Sequence, residues 1–165
     1  MNELPRTAKL VTVWLLIITA VWLLVEWAQW QRQRSRFSVD DLQQTIVLRR
    51  APDGHFHWPG EVNGVAVDFL VDTGATSTAL PLRLAREAGL AEGAPLRSAT
   101  AGGLADGHAS RADLRLRGGV QVDRLRVAVL PRLETPLLGM DVLGRLHFSQ
   151  RGGELHIESG QAPVR

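Results

Sequence analysis

The sequence predicts an all-β domain, a small closed barrel with one or two short helices, preceded by an N-terminal transmembrane helix. Three observations predict it. Short apolar runs recur from Thr45 onward, separated by Gly-rich turns. Between them one stretch, Pro81 to Leu90, is helical in character. Residues Leu10 to Val25 carry no charge. Many short strands with Gly-rich turns and one helix argue for a barrel-like β domain. The 165 residues leave room for that domain and a short appendage.

The N-terminal stretch L-V-T-V-W-L-L-I-I-T-A-V-W-L-L-V falls just short of the roughly 20 residues that span hydrocarbon. Extension through Glu26 to Trp30 closes the gap, with Glu26 at headgroup level and Trp27 and Trp30 as interfacial anchors. Arg6 and Lys9 flank it on one side and Arg32, Arg34 and Arg36 on the other. A cleaved signal peptide wants small residues before the cut; Ala28 has Glu26 two residues ahead of it, a poor site. A core helix apolar all round is disfavoured so near the terminus. The expected organisation is an anchor over 1–30 that meets the membrane through residues 10–30, a polar tether over 31–44, and a folded domain over 45–165. Four of the five tryptophans precede residue 31, so the two ends are built differently.

Within the domain, T-I-V-L-R at 45–49 opens a strand. E-V-N-G-V-A-V-D-F-L-V places Asn63-Gly64 between two apolar runs, the strongest short hairpin signal. P-L-R-L-A-R-E-A-G-L reads as a helix, with Pro81 in its first turn and Gly89 just past its end. Residues 91–110 are small and Gly-rich and read as a mobile loop or hairpin rather than core. A-D-L-R-L alternates over Ala112–Leu116, and R-L-R-V-A-V-L runs to Leu130 and is stopped by Pro131. H-F-S-Q and E-L-H-I-E, joined across Arg151-Gly152-Gly153, form a last hairpin.

Composition removes several chemistries. Without cysteine there are no disulfides, thiolate zinc sites, iron–sulfur clusters or cysteine nucleophiles. The 19 basic and 17 acidic residues include no run of five like charges, so no nucleic-acid arm is expected. His55, His57, His108, His147 and His156 show no metal spacing. H-F-H at 55–57 points both rings to one face of a strand, but two ligands are too few, and exposed strand positions are the simpler reading. No metal or cofactor is expected. Ser77 and Ser110 lack a nucleophile elbow or a nearby base. Arg83, Arg86 and Glu87 read as a solvated helix face.

The chemistry lies in F-L-V-D-T-G-A-T-S, Phe69 to Ser77. An apolar strand runs into Asp72, and the backbone turns at Thr73-Gly74. Two carboxyls held close together share one proton. The ionised member can activate a water while the protonated one donates to a carbonyl oxygen. D-T-G alone also fits a plain β-turn capped by Asp. Its setting, after a strand and hairpin and before a helix, raises the odds. A second element, P-L-L-G-M-D-V-L-G-R-L from Pro136 to Leu146, brings two apolar residues to a glycine and then a helix-like stretch. Together these resemble the retropepsin-like aspartic proteases, including bacterial single-domain members with an N-terminal membrane segment. Leu70-Val71-Asp72-Thr73-Gly74-Ala75 matches that family's first motif and Leu137-Leu138-Gly139 its second, over roughly residues 45–160 in matching order.

The resemblance implies a closed retropepsin-like barrel and an aspartic endopeptidase. It implies that Asp72 is catalytic, that Thr73 braces the dyad across to the other subunit, and that Gly74 binds substrate backbone. Ala75 stands where pepsin-like enzymes have serine, which implies a less acidic optimum than theirs. Ala101, Gly102 and Gly103 fall where the family has its flap, and Leu137, Leu138 and Gly139 support the site. The chain has one D-T-G while the mechanism needs two carboxylates, so a twofold homodimer pairing Asp72 with Asp72 of the partner subunit is expected. Anchoring both chains in one membrane would raise their effective concentration. The implied substrate is a protein or peptide, and the implied place is the bacterial inner membrane, single-pass, with the catalytic domain in the periplasm. The alternative is a catalytically silent module that uses the same cleft for peptide binding or dimerisation. A membrane-tethered barrel without a cleft is a third reading, favoured if residues 95–110 pack over no groove.

Overall fold

The computed structural model describes residues 6–34, 37–40, 45–100 and 103–158. The chain divides into two compact units, Met1–Arg36 and Phe37–Arg165. The first is a single helix, α1 (Arg6–Arg34), of 29 residues. Its described side chains, 11–26, are exposed on every side, Trp14, Leu16, Trp22 and Leu24 among them. Their uncharged run ends at Val25 and falls short of the roughly 20 residues a bilayer core demands. Among the described residues no helix is long and apolar enough to cross a membrane.

The second unit is built from β1 (Phe37–Asp40), β2 (Thr45–Arg49), β3 (His57–Val62), β4 (Val65–Val71), β5 (Ala79–Pro81), α2 (Leu82–Glu87), β6 (Pro95–Thr100), β7 (Gly103–Leu116), β8 (Gln121–Leu130), β9 (Leu137–Leu138), α3 (Met140–Leu143), β10 (His147–Arg151) and β11 (Glu154–Glu158). Seven strands pair in the order β3-β4-β9-β5-β8-β7-β6. A further pairing, Gly60 with Leu116, Glu61 with Arg115 and Val62 with Leu114, joins β3 to β7 and closes six of them into a barrel. Closure removes the sheet edges that would otherwise invite pairing with other chains. β6 lies outside the ring, attached to β7 alone. The remaining strands form an antiparallel sheet, β1-β2-β11-β10. Its buried face, Ile46, Leu48, Leu155 and Ile157, belongs to the same core as Trp58, Phe69, Leu114, Val127 and Leu138. Trp58 is fully buried, and its indole N–H donates to the Arg117 carbonyl at 2.8 Å, so its one polar atom is satisfied.

Local chemistry fixes the turns that were expected. Asn63 and Gly64 both have positive φ, 49° and 84°, as a two-residue type I′ hairpin requires. The Asn63 side chain also donates to the Ala88 carbonyl and accepts from the Asp113 N–H, pinning the β3–β4 turn to the end of α2 and to β7. α2 ends at Gly89 with φ 65°, whose N–H returns to the Arg86 carbonyl. Pro81 is the N-cap rather than a first-turn residue.

Three readings are corrected. The polar span 31–44 is not a plain tether: α1 continues through Arg34, and Phe37–Asp40 pairs with Leu48 to Thr45 as β1. Phe37 packs against the core, and the Arg117 guanidinium lies 4.8 Å above its ring. Of the two readings for residues 91–110, the hairpin holds and the loop does not: β6 and β7 pair from Pro95–His108 to Thr100–Gly103. Their small residues serve close packing, since a Cβ on Gly107 would stand 2.2 Å from the Val129 carbonyl oxygen. The H-F-H rings are not two exposed strand positions. His55 precedes the strand, while the His57 side chain is only 19% exposed, with Nε2 2.8 Å from Asp53 and Nδ1 3.5 Å from Asp68.

Candidate active site

β4 delivers Asp72. Phe69 is buried and Val71 packs against the same core, so alternation turns Leu70 and Asp72 to the opposite face of the sheet. That face carries a row of paired residues: Leu70 opposite Leu137, Leu137 opposite Ala79, and Ala79 opposite Ala128. Ala79, Ala128 and Leu130 form a second, smaller apolar cluster with Leu96, Ala105, Leu133 and Leu137. Leu96 and Ala105 come from β6 and β7, so the hairpin beyond the barrel rests on the sheet face that presents Asp72.

Asp72 itself is half-buried. Its N–H donates to the Leu138 carbonyl at 3.0 Å, extending the β4–β9 ladder by one step. Its Oδ1 accepts the Gly74 N–H at 2.9 Å, and its carbonyl accepts the Ala75 N–H at 3.2 Å. The turn thus holds the carboxylate against its own backbone and leaves Oδ2 available to other groups. Thr73 is exposed, and among the described residues its hydroxyl makes no hydrogen bond.

The loop after Asp72 is fastened from below by α3. The Met140 N–H donates to the Ala75 carbonyl at 2.8 Å. The Asp141 carboxylate accepts the Thr78 N–H, at 3.0 and 2.9 Å to its two oxygens, and the Thr78 hydroxyl at 2.8 Å. Thr78 is fully buried, and its Oγ1 in turn accepts the Gly139 N–H at 3.3 Å. Gly139 is needed for this approach, because a Cβ there would stand 2.5 Å from the Ser77 carbonyl carbon.

The structure therefore brings Asp72, Thr73, Gly74 and Ala75 together with Leu137, Leu138 and Gly139, as the two sequence motifs suggested. Gly103 opens β7 at the far end of the hairpin with φ 103°. Ala101 and Gly102 lie outside the described residues. Two contributors went unread in the sequence: Asp141 and Thr78, the sixth residue after Asp72. A first-turn Asp two residues after the second-motif glycine was the available signal.

A closed barrel carrying an Asp-Thr-Gly turn braced by a C-terminal helical turn defines a retropepsin-like domain. The family model described as "gag-polyprotein putative aspartyl protease" matches residues 58–145, and the chain belongs to that family. It is similar to a retropepsin-like aspartic protease from Rickettsia conorii, with a TM-score of 0.55 and 28% identity, over 68% of this chain and 89% of that one. It also matches the retroviral protease-like domain of Ddi1 from Leishmania major, at a TM-score of 0.44 and 20% identity over 65% of this chain and 90% of that one. A curated relative, an uncharacterized protein in the cobV 5′ region of a Sinorhizobium species, is 34% identical over 122 residues, 70% of this chain. The chain spans about half of that relative's length, 52%.

Proposed function

We propose that this protein is a membrane-anchored aspartic endopeptidase that acts as a homodimer, with Asp72 of each subunit forming the catalytic pair. The observation that carries the reading is the setting of Asp72: a half-buried carboxylate held by Gly74, on the sheet face that the β6–β7 hairpin covers. One carboxylate cannot serve at once as base for the water and as acid for the carbonyl oxygen. The chain has a single Asp-Thr-Gly, so the second carboxyl comes from a second copy, and a twofold axis beside Asp72 supplies it. In the resulting pair one proton is shared, the ionised oxygen takes a proton from water, and the other carboxyl donates to the peptide carbonyl. Collapse of the tetrahedral intermediate then needs a proton on the leaving nitrogen, which the pair returns. Thr73, exposed beside the turn, braces the two loops against each other, and Gly74 and Ala75 meet the substrate main chain. The β6–β7 hairpin closes over the substrate.

The anchor is part of the same proposal. α1 is helical over 29 residues, and residues 10–25 carry no charge. A helix apolar on all sides needs either a protein core or lipid around it. We place it in a bacterial inner membrane as a single span, with the peptidase domain in the periplasm. A reporter fused after Arg165 reads that orientation. The enzymatic half is tested by peptide hydrolysis with the full chain in detergent, alongside Asp72→Asn. Cleavage by the parent and none by the variant supports the reading; equal cleavage by both would remove Asp72 from the mechanism.

A further inference from the structure

The register that sets Asp72 on the hairpin side of the sheet also sets a charge there. Counting two residues on from the row Leu70–Leu137–Ala79–Ala128 leads to Asp72, Gly139 and Ser77, just past the ends of β4, β9 and β5, and to Arg126 within β8. The Ala128 N–H donates to the Thr78 carbonyl at 3.0 Å, which fixes the Ala79–Ala128 pair from which this count starts. Ser77 and Arg126 do line one hollow of about 300 Å³, together with Leu96, Arg97, Ser98 and Ala128. The hollow thus lies between the loop that carries Asp72 and the strand β6 of the covering hairpin.

Its charge is one-sided. Arg97 is already engaged by Asp106, its partner across the β6–β7 ladder, at 2.7 Å. Arg126 is exposed, and among the described residues no carboxylate lies within ion-pair distance of it. Arg111, opposite Arg126 on β7, adds a second positive charge and spends one N–H on the Arg124 carbonyl. Of the acids, Glu92 lines an adjoining hollow with Arg111 and Arg126.

We infer that Arg126 is a specificity-determining residue and that the Ser77–Arg126 hollow takes an acidic side chain, Asp or Glu, of the peptide substrate. The inference rests on the peptidase reading above. A guanidinium beside a carboxylate forms a charge-assisted, bidentate pair that a neutral amide cannot match. From β4 to β8 there are three strand spacings of about 4.8 Å, so Arg126 lies roughly 14 Å from Asp72. An extended peptide advances about 3.3 Å per residue, which sets the acidic side chain roughly three or four positions from the scissile bond.

The test uses the full chain in detergent and a peptide library in which each position near the bond carries Glu, Gln or Lys. The parent should cleave Glu peptides over Gln peptides by roughly tenfold in kcat/KM at one position three or four residues from the bond. In Arg126→Gln that ratio should fall to about one, and in Arg126→Glu the preference should turn to Lys, circular dichroism confirming that both variants fold. A parent indifferent to charge at every position, or a preference that survives both variants, overturns the inference and leaves the peptidase reading standing. No cleavage of any peptide by the parent overturns the peptidase reading, and this inference with it.

Discussion

The loop that carries Asp72 and the hairpin that rests on the same sheet face are held by different means. Residues 72–78 are gripped by side-chain and main-chain bonds from a separate part of the chain: Leu138 to Asp72, Met140 to Ala75, Asp141 to Thr78. The buried Thr78 has both its N–H and its hydroxyl paired, and polar networks of this kind rigidify what they hold. Among the described residues β6 pairs only with β7, and one face of the hairpin offers exposed side chains such as Leu104 and the surface pair Arg97–Asp106. Its other face rests on the barrel through Leu96, Ala105 and the close approach of Gly107. The difference suits the proposed reaction. Catalytic carboxyls need fixed geometry to within a fraction of an ångström, whereas a cover must open for substrate and close on it.

The comparison can be broken at either end, and the largest effect belongs to the gripped loop. Asp72→Asn keeps the shape and the Gly74 contact but removes the acid–base function. Its cleavage rate should fall by at least about 10³-fold, with an unchanged urea midpoint. Next comes the clamp. Asp141→Ala leaves the Thr78 N–H and hydroxyl unpaired in a fully buried position. Urea unfolding should report a loss of about 2–4 kcal/mol, and Asp141→Asn, which keeps an acceptor oxygen, should restore at least half of it. If Asp141→Ala unfolds like the parent, the clamp is not what fixes the loop. Gly139→Ala should cost about 1–3 kcal/mol by pushing a methyl into the Ser77 backbone.

The covering hairpin should respond the other way round. Leu104→Ser should leave the unfolding midpoint where it is and change kcat/KM by roughly threefold to tenfold, mostly through KM. A large loss of stability would mean that the exposed face of the hairpin is structural. The smallest effect belongs to Asp53, at the surface. The His55 N–H, and then the His57 ring, hold its carboxyl below the usual carboxylate range. A carboxyl depressed in the folded state contributes stability that is full above its unfolded value and is lost as pH falls through its folded value. Urea midpoints collected across the acid range should therefore fall less steeply in Asp53→Asn than in the parent; parallel curves would mean that the contact carries no linkage.

How far the sequence revealed this arrangement follows from the range over which each feature is determined. Asn63-Gly64, Gly89 and the last hairpin were legible because a turn is set by its own two or three residues. The Asp-Thr-Gly turn and Leu137-Leu138-Gly139 were legible as motifs, and the fold joins them through the β4–β9 pairing. β5 and β9, three and two residues long, are too short to show a period. β1 was hidden in a polar stretch because its partner is a neighbouring strand and only Phe37 reaches the core. Asp141 was passed over because its partner, Thr78, is 63 residues away. Arg126 reads in sequence as one exposed strand arginine among several; only the register across β4, β9, β5 and β8 sets it level with Asp72.

The central claim is that one active site uses Asp72 from two chains. The most direct measurement adds the full-length Asp72→Asn chain to a fixed amount of parent in detergent, under conditions of free subunit exchange, and follows peptide cleavage. Mixed dimers would hold one competent carboxyl, so at equal amounts the activity should fall to about half, and further with excess variant, as random pairing requires. Activity that stays constant at every ratio, with exchange demonstrated, would mean that each chain works alone and would contradict the shared site.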